Sequence, residues 1–283
     1  MGTATRKRKE DFYREHPFCA FCGGSVPATT VEHCPPRAMF QNKQWPEGFE
    51  FPACFDCNHG SSNDDLLVAM LARVNPFEET GDTDGRFSGL VKGVNTQFPG
   101  LLQKMMPSAV EARQSNRRLN LTPGPGQTHQ ETGAVKITTE VDDAVSTFAR
   151  KLAKSIYYKD AGKTFPKEGC LLMNWFTNEQ LFKDGRYISF EILKEVDGVI
   201  PSLVRTGKYL NDQFEYKLSM SNELDVFMLQ AMFGQAFGLV IYGSSVPGKL
   251  EPILVQLRET GQRSGPFTVL ESTILPIGRV PKV

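Results

Sequence analysis

The stretch from Cys19 to Asp65 decides the fold of the N-terminal part, and it reads CAFCGGSVPATTVEHCPPRAMFQNKQWPEGFEFPACFDCNHGSSNDD. It contains two Cys-x-x-Cys pairs that are separated by a long insert. Each pair lets two thiolates bind one tetrahedral ion, so the two pairs together predict a closed four-sulfur zinc site. The predicted ligands of this structural Zn²⁺ are Cys19, Cys22, Cys54 and Cys57.

The insert and the residues that follow it carry the side chains with catalytic potential. Glu32 and His33 come directly before the segment Cys34-Pro35-Pro36, and Asn58 directly follows the second cysteine pair. Imidazole titrates near neutrality, whereas carboxylate and amide oxygens are ligands for hard cations. Adjacent residues of a strand point to opposite faces, so Glu32 and His33 share one site only if the strand bends, which the prolines favour. Cys34 is predicted to be a small apolar filler.

This pattern resembles the HNH endonuclease family, the ββα-metal nucleases, in the subset that carries a four-cysteine structural zinc. In that family an acidic residue or His precedes a His at the end of the first hairpin strand, and a Pro follows shortly after. The second knuckle opens a helix, with His or Asn directly after its last cysteine. The segment 31–36 matches the first element and the segment 52–58 matches the second. The resemblance covers about the first quarter of the chain.

The resemblance implies a set of catalytic residues. His33 is expected to be the general base that takes a proton from the attacking water. Glu32 and Asn58 are expected to hold a catalytic divalent cation, Mg²⁺ or Mn²⁺, beside the phosphodiester. The last metal ligand is expected about one helical turn beyond Asn58. The sequence does not select among its candidates, which are Asn63, Asp64 and Asp65.

Substrate contacts are expected beside this catalytic set. Arg37 and His59 are candidates for binding DNA, although His59 would point away from Asn58 on a helix. The chain as a whole carries no net charge, because 32 Lys and Arg balance 32 Asp and Glu, so it lacks the global basic signature of many nucleic-acid-binding proteins. Local basic segments at 6–9 and 86–120 favour either phosphate contacts or a solvated surface.

Neither a membrane span nor a signal peptide is recognisable in the sequence. Four of the six cysteines lie in the knuckles, a usage that fits a reducing compartment. We therefore expect a cytoplasmic protein without a membrane partner. A homodimer is plausible, since cleavage of both DNA strands needs two sites or two sequential nicks.

The rest of the chain predicts helices followed by strands. Apolar residues recur at helical spacing from 142 to 159. The basic residues of this segment are expected to lie mostly off the stripe and to form a cluster: Arg150, Lys151, Lys154, Lys159 and Lys163. Further helices are predicted over 66–73, with Asn63 or Asp64 as its cap, over 108–119, and from about residue 177. β-rich runs separated by turn residues predict strands at 187–193, 203–210, 214–220, 224–233, 237–242, 253–258 and 267–275.

These patterns predict an α+β protein with a zinc-stapled, HNH-like ββα-metal module and an antiparallel sheet with helices. The predicted regions are 1–73 for the module, 74–133 for a helical and loop connector, and 134–283 for an α+β domain of unknown role. We expect a metal-dependent endonuclease that hydrolyses phosphodiester bonds in DNA. A zinc-stabilised module that binds nucleic acid or protein without catalysis is the alternative, and a purely structural protein is a third class.

Overall fold

We describe the fold from a computed structural model, over residues 3–74, 84–185, 198–252, 255 and 268–271. The chain is a mixed α+β protein with antiparallel sheets, which confirms the predicted class. The strand predicted over 187–193 lies outside the described residues, as does the one over 253–258 except for residue 255. In the part of the chain so described, no helix combines the length and apolar character that crossing a bilayer requires.

The N-terminal region contains a two-stranded hairpin followed by two helices. Its strands pair antiparallel, with Glu32 opposite Phe51 and His33 opposite Glu50. Two 3₁₀ turns, Arg37–Met39 and Gln41–Lys43, lie in the connection between the strands. The elements are α1 (Thr3–Glu15), β1 (Thr30–His33), β2 (Glu50–Ala53), α2 (Phe55–His59) and α3 (Ser62–Ala72).

Helix α3 begins earlier than the sequence indicates. Its N-cap residue is Ser61, so the predicted caps Asn63 and Asp64 lie inside its first turn. Asp64 and Asp65 in this turn place negative charge near the positive end of the helix dipole. The predicted helix over 66–73 is confirmed, with this longer N-terminus.

The middle of the chain is helical. The helix predicted over 108–119 is confirmed, and Ser108 and Glu111 form a reciprocal capping box at its start. Two helices before it were not predicted from the sequence. The elements are α4 (Phe87–Gln97), α5 (Leu101–Met105), α6 (Ala109–Arg118), a 3₁₀ turn (His129–Thr132) and α7 (Thr139–Ala161).

The C-terminal part contains a five-stranded sheet in which all the neighbouring strands are antiparallel, as predicted. The strand order is β6-β7-β8-β3-β9, and β3 was missed because its apolar residues do not alternate. The run predicted as one strand over 203–210 is a short hairpin, β4 to β5, while α8 begins close to residue 177 as predicted. The elements are β3 (Cys170–Thr177), α8 (Glu179–Asp184), β4 (Val204–Arg205), β5 (Lys208–Tyr209), β6 (Glu215–Met220), β7 (Val226–Phe233), β8 (Phe237–Ser244) and β9 (Thr268–Glu271).

Helix α7 connects the N-terminal region to the sheet. It packs against α3 and also against β3 and β8, and one core cluster extends from Cys19 to Ile241. Two members of the predicted basic cluster, Lys151 and Lys154, are buried at 1% and 0% exposure, because α7 is covered on more than one side. The predicted apolar stripe is confirmed, since its members are all buried: Val145, Phe148, Ala149, Leu152, Ala153, Ile156 and Tyr157.

Candidate functional site

The four knuckle cysteines converge on one point. Their Sγ atoms all lie within 4.8 Å of one another, and all four residues are buried. Zinc–thiolate bonds of about 2.3 Å in a tetrahedron fit such a cluster, so these residues can hold a metal such as zinc. Among the described residues this is the only group of three or more His, Cys, Asp or Glu side chains placed to hold a metal ion. The predicted ligands are Cys19, Cys22, Cys54 and Cys57.

Backbone groups shape the knuckles around the sulfur atoms. The Cys57 amide donates to Cys54 Sγ at 3.5 Å at the start of α2. In the first knuckle Gly23 has a φ of 71°, and a Cβ there would come within 2.7 Å of the Lys167 side chain. Only glycine fits this conformation and this close approach. The Lys154 ammonium, from α7, donates to the Phe21 carbonyl at 2.8 Å, so the long helix is attached directly to the knuckle.

Strand β1 sends Glu32 and His33 to different environments. Glu32 is 5% exposed and faces α3 and α7, whereas His33, at the end of the strand, faces Trp45 and Glu50. This is the alternation expected of a regular strand. The bend that would bring both side chains into one site is absent from β1.

The buried side of β1 holds a cluster of charged groups, which we call the inner cluster (Glu32, Ser61, Asp65 and Lys151). The Lys151 ammonium contacts Glu32 Oε1 at 3.1 Å, Ser61 Oγ at 2.7 Å and Asp65 Oδ2 at 2.7 Å. Glu32 Oε2 and Asp65 Oδ1 are buried and have no hydrogen-bond partner. The structure therefore brings two predicted metal ligands to one cation, and that cation is an ammonium group supplied by α7.

Burial sets the protonation of the inner cluster. It raises the pKa of Glu32 to about 7, because the Lys151 charge offsets only part of the desolvation and the Asp65 carboxylate adds to it. Burial alone would lower the pKa of Lys151, but the Asp65 and Glu32 carboxylates outweigh it and the pKa is raised. Lys151 thus carries its charge throughout the physiological range. Cys34, buried beside this cluster as predicted, has its pKa raised to about 12 by burial.

The other predicted metal ligands lie along α2 and α3. The Asn58 amide nitrogen donates to the Val31 carbonyl at 3.1 Å and so ties α2 to β1. Asn63 is exposed, Asp64 is partly buried, and only Asp65 reaches the inner cluster. The ring of His59 stacks on exposed Phe55, with centroids 4.1 Å apart. Whether any of these residues binds a catalytic cation or DNA stays a prediction.

The opposite side of β1 carries the outer cluster, which we define as His33, Arg37, Trp45 and Arg205. The imidazole meets the Trp45 ring edge to face at 4.7 Å, and its Nε2 lies 3.7 Å from Glu50 Oε1. Burial, with added repulsion from Arg37 and Arg205, lowers the pKa of His33 to about 4. At neutral pH the ring is therefore uncharged, and one of its nitrogens can accept a proton.

Two guanidinium groups lie close to the same indole ring. The Cζ atom of Arg205 lies 3.9 Å from the Trp45 ring centroid, and that of Arg37 lies 5.1 Å from it. Both distances are within the range of cation–π attraction. Neither guanidinium forms an ion pair or a hydrogen bond to a carboxylate in the described part of the chain. A neutral imidazole thus lies beside two guanidinium groups that have no carboxylate partner among the described residues, with Glu50 Oε1 3.7 Å from its Nε2.

Sequence reasoning identified His33 and Arg37 but missed Arg205, Trp45 and Lys151. Arg205 comes from a hairpin far along the chain, and no spacing rule connects it with residue 33. Lys151 had a weak signal, because it lies between Phe148 and Leu152 of the apolar stripe, close to the buried face of α7. A lysine beside such a stripe can be read as buried if a carboxylate is available to pair with it.

Comparison with known proteins identifies no relative. No family model matches the sequence, and neither a curated protein nor a solved structure matches the chain. The function must therefore be argued from the site itself.

Proposed function

We propose that this protein is an HNH-type endonuclease that hydrolyses phosphodiester bonds of DNA, with His33 as its general base. The observation that carries the proposal is the outer cluster, where a neutral imidazole lies at the end of β1 beside two guanidinium groups that have no carboxylate partner among the described residues. A phosphodiester needs a base to activate water and fixed positive charge on its oxygens. The outer cluster offers both.

Each residue has a defined task in this proposal. His33 accepts the proton of the attacking water, since its pKa of about 4 leaves the ring unprotonated at neutral pH. Arg37 is exposed and donates to the non-bridging phosphate oxygens, a geometry that its planar fork suits. Asn58 holds α2 against β1 two residues before His33, through the Val31 carbonyl. The four-cysteine cluster joins the segment before β1 to the segment after β2, so a bound zinc would hold the hairpin that carries His33 in place.

The divalent cation implied by the family resemblance does not fit this arrangement of residues. Its expected ligand Glu32 faces away from His33 and contacts the Lys151 ammonium. Asp65, the candidate ligand nearest to Glu32, contacts the same ammonium. We therefore assign no step of the reaction to a metal bound by Glu32.

Plasmid nicking tests the proposal. Zinc-loaded wild-type protein is incubated with supercoiled DNA, with and without added Mg²⁺ or Mn²⁺, beside His33→Ala and His129→Ala at equal zinc content. We expect nicking by the wild type and a loss of about 100-fold or more in His33→Ala, the usual size of a general-base contribution. His129→Ala is the matched control, since it removes an imidazole from the 3₁₀ turn His129–Thr132, outside the outer cluster, and it should retain the rate. Equal rates for wild type and His33→Ala would overturn the assignment.

A second candidate function is nucleic-acid binding without hydrolysis. The inner cluster favours it, because the carboxylates available to hold a catalytic cation are neutralised by Lys151. This candidate predicts that the protein binds DNA in a salt-dependent manner and never nicks it under any metal. Binding without nicking in the same samples would select it over the endonuclease.

A further inference from the structure

A hairpin of the C-terminal part is fixed against the loop that carries Trp45. At its base Leu203 and Leu210 are both 3% exposed, and the Leu210 amide donates to the Leu203 carbonyl at 2.8 Å. Near its tip the Glu47 amide donates to the Val204 carbonyl at 3.0 Å, and the Thr206 amide donates to Glu47 Oε1 at 3.1 Å. The hairpin is thus held at both ends, so Arg205 is positioned before any ligand arrives.

The turn of this hairpin sets the direction of Arg205. Thr206 and Gly207 have φ values of 47° and 77°, so the two-residue loop has the positive φ angles of a type I′ turn. A β-branched residue such as Thr206 rarely adopts a positive φ. The hydrogen bond from the Thr206 amide to Glu47 Oε1 helps to hold the turn in this conformation, with Arg205 beside Trp45. The cross-strand neighbour Lys208 is exposed and has the same charge.

We propose that Arg205 and Arg37 together form a binding site for a backbone phosphate of nucleic acid, completed across the chain by the 204–209 hairpin. The inference deepens the proposed function, on which its link to hydrolysis rests. Two guanidinium groups close to one indole ring repel each other, and an anion bound by both offsets that repulsion. Each has five N–H donors, and no protein carboxylate accepts from either in the described residues. An oxyanion with several acceptor oxygens matches this donor set, and His33 places the site where phosphodiester chemistry is proposed.

A purely structural role for Arg205 makes different predictions. A guanidinium that only packs on Trp45 would contribute to stability, and its loss would leave DNA affinity unchanged. A phosphate-binding guanidinium would change affinity and its salt dependence while the fold persists. Lys208 separates specific contact from general positive charge, because Lys208→Ala removes the same charge from the same hairpin.

The test is fluorescence anisotropy of a labelled short DNA duplex, titrated over a series of salt concentrations. We expect Arg205→Ala to bind about tenfold more weakly and to lower the slope of log affinity against log salt by about 1. Lys208→Ala should stay within about twofold of wild type. Arg205→Lys should be intermediate, because the charge remains and the planar fork is lost. In a double-mutant cycle with Arg37→Ala, the combined loss should be smaller than the product of the single losses if both hold one phosphate.

The outcomes separate this inference from the proposed function. Affinity that depends on Arg205 without any nicking supports the phosphate site and rejects the endonuclease. Nicking that depends on His33, with affinity unchanged in Arg205→Ala, keeps the endonuclease and overturns the phosphate site. Equal losses in Arg205→Ala and Lys208→Ala would also overturn it, since general charge would then explain binding. If Arg205→Ala fails to fold, Arg205→Lys and Arg37→Ala carry the same comparison.

Discussion

The two sides of strand β1 use charge in opposite ways. In the inner cluster, Lys151 is surrounded by oxygen atoms of Glu32, Ser61 and Asp65 and is shielded from water. In the outer cluster, Arg37 and Arg205 share an indole ring and have no carboxylate partner in the described part of the chain. Adjacent residues of one strand thus belong to an internally neutralised cluster and to a cationic surface.

This difference separates structural charge from charge available to a ligand. A buried ion that has protein partners is expensive to disrupt and has little capacity left for a ligand. A cation without a protein partner costs the fold little when it is removed, and it can bind an external anion. The inner cluster therefore fits a role in joining the module to α7, and the outer cluster fits a role in binding. Three perturbations test this distinction.

Removal of the zinc site should have the largest effect, since it acts on both sides of β1. Cys57→Ser, or stripping the metal with a strong chelator, should unfold the hairpin and its helices, because zinc binding contributes on the order of 10 kcal/mol in small zinc modules. The measurements are zinc content and thermal unfolding by circular dichroism. Cys34→Ser is the matched control, because Cys34 is buried within the same region without joining the sulfur cluster. A Cys57→Ser protein as stable as the Cys34→Ser control would contradict the expectation that metal binding by the four cysteines stabilises this region.

Loss of one cation from each side should give unequal effects. Lys151→Met leaves Glu32 and Asp65 buried without a counter-ion, and we expect a cost of about 3–5 kcal/mol in the free energy of unfolding. Arg205→Met removes the same charge from the outer cluster and should cost about 1 kcal/mol or less. Urea denaturation of both variants measures the difference. Equal costs would mean that the two clusters do not differ in their contribution to the fold.

The smallest effect is a dependence of stability on pH that comes from His33. Its folded-state pKa of about 4 lies below the ordinary value of about 6.5, so between these values the unfolded chain binds a proton more readily than the folded one. Protonation of His33 in the unfolded chain therefore lowers the free energy of unfolding. This loss is small above pH 6.5 and grows as the pH falls toward 4. Relative to His33→Gln, the wild type should lose about 1–2 kcal/mol between pH 7 and pH 5. Parallel stability curves for the two proteins would refute the buried, neutral state of the ring.

Several elements of the fold could be predicted because their signals are local. The convergence of the four cysteines follows from the Cys-x-x-Cys spacing, and the buried stripe of α7 follows from helical periodicity over consecutive turns. The antiparallel sheet follows from the short connections between β-rich runs. Strand β3 was missed because the run CLLMNWFT has no clear period. Helix α4 was missed although Phe87, Leu90, Val91 and Val94 recur at helical spacing, in a run that also contains two glycines, which disfavour helices.

The sequence by itself determined that four cysteines meet at one point and that His33 ends a strand directly after Glu32. Those features depend on bond lengths, on knuckle geometry and on the two-residue period of a strand. Only the tertiary structure decided that Lys151 enters the module to neutralise Glu32 and Asp65, and that Arg205 joins Arg37 at Trp45. These contacts join residues from distant parts of the chain, so they depend on how helices and sheet pack, which no local pattern specifies.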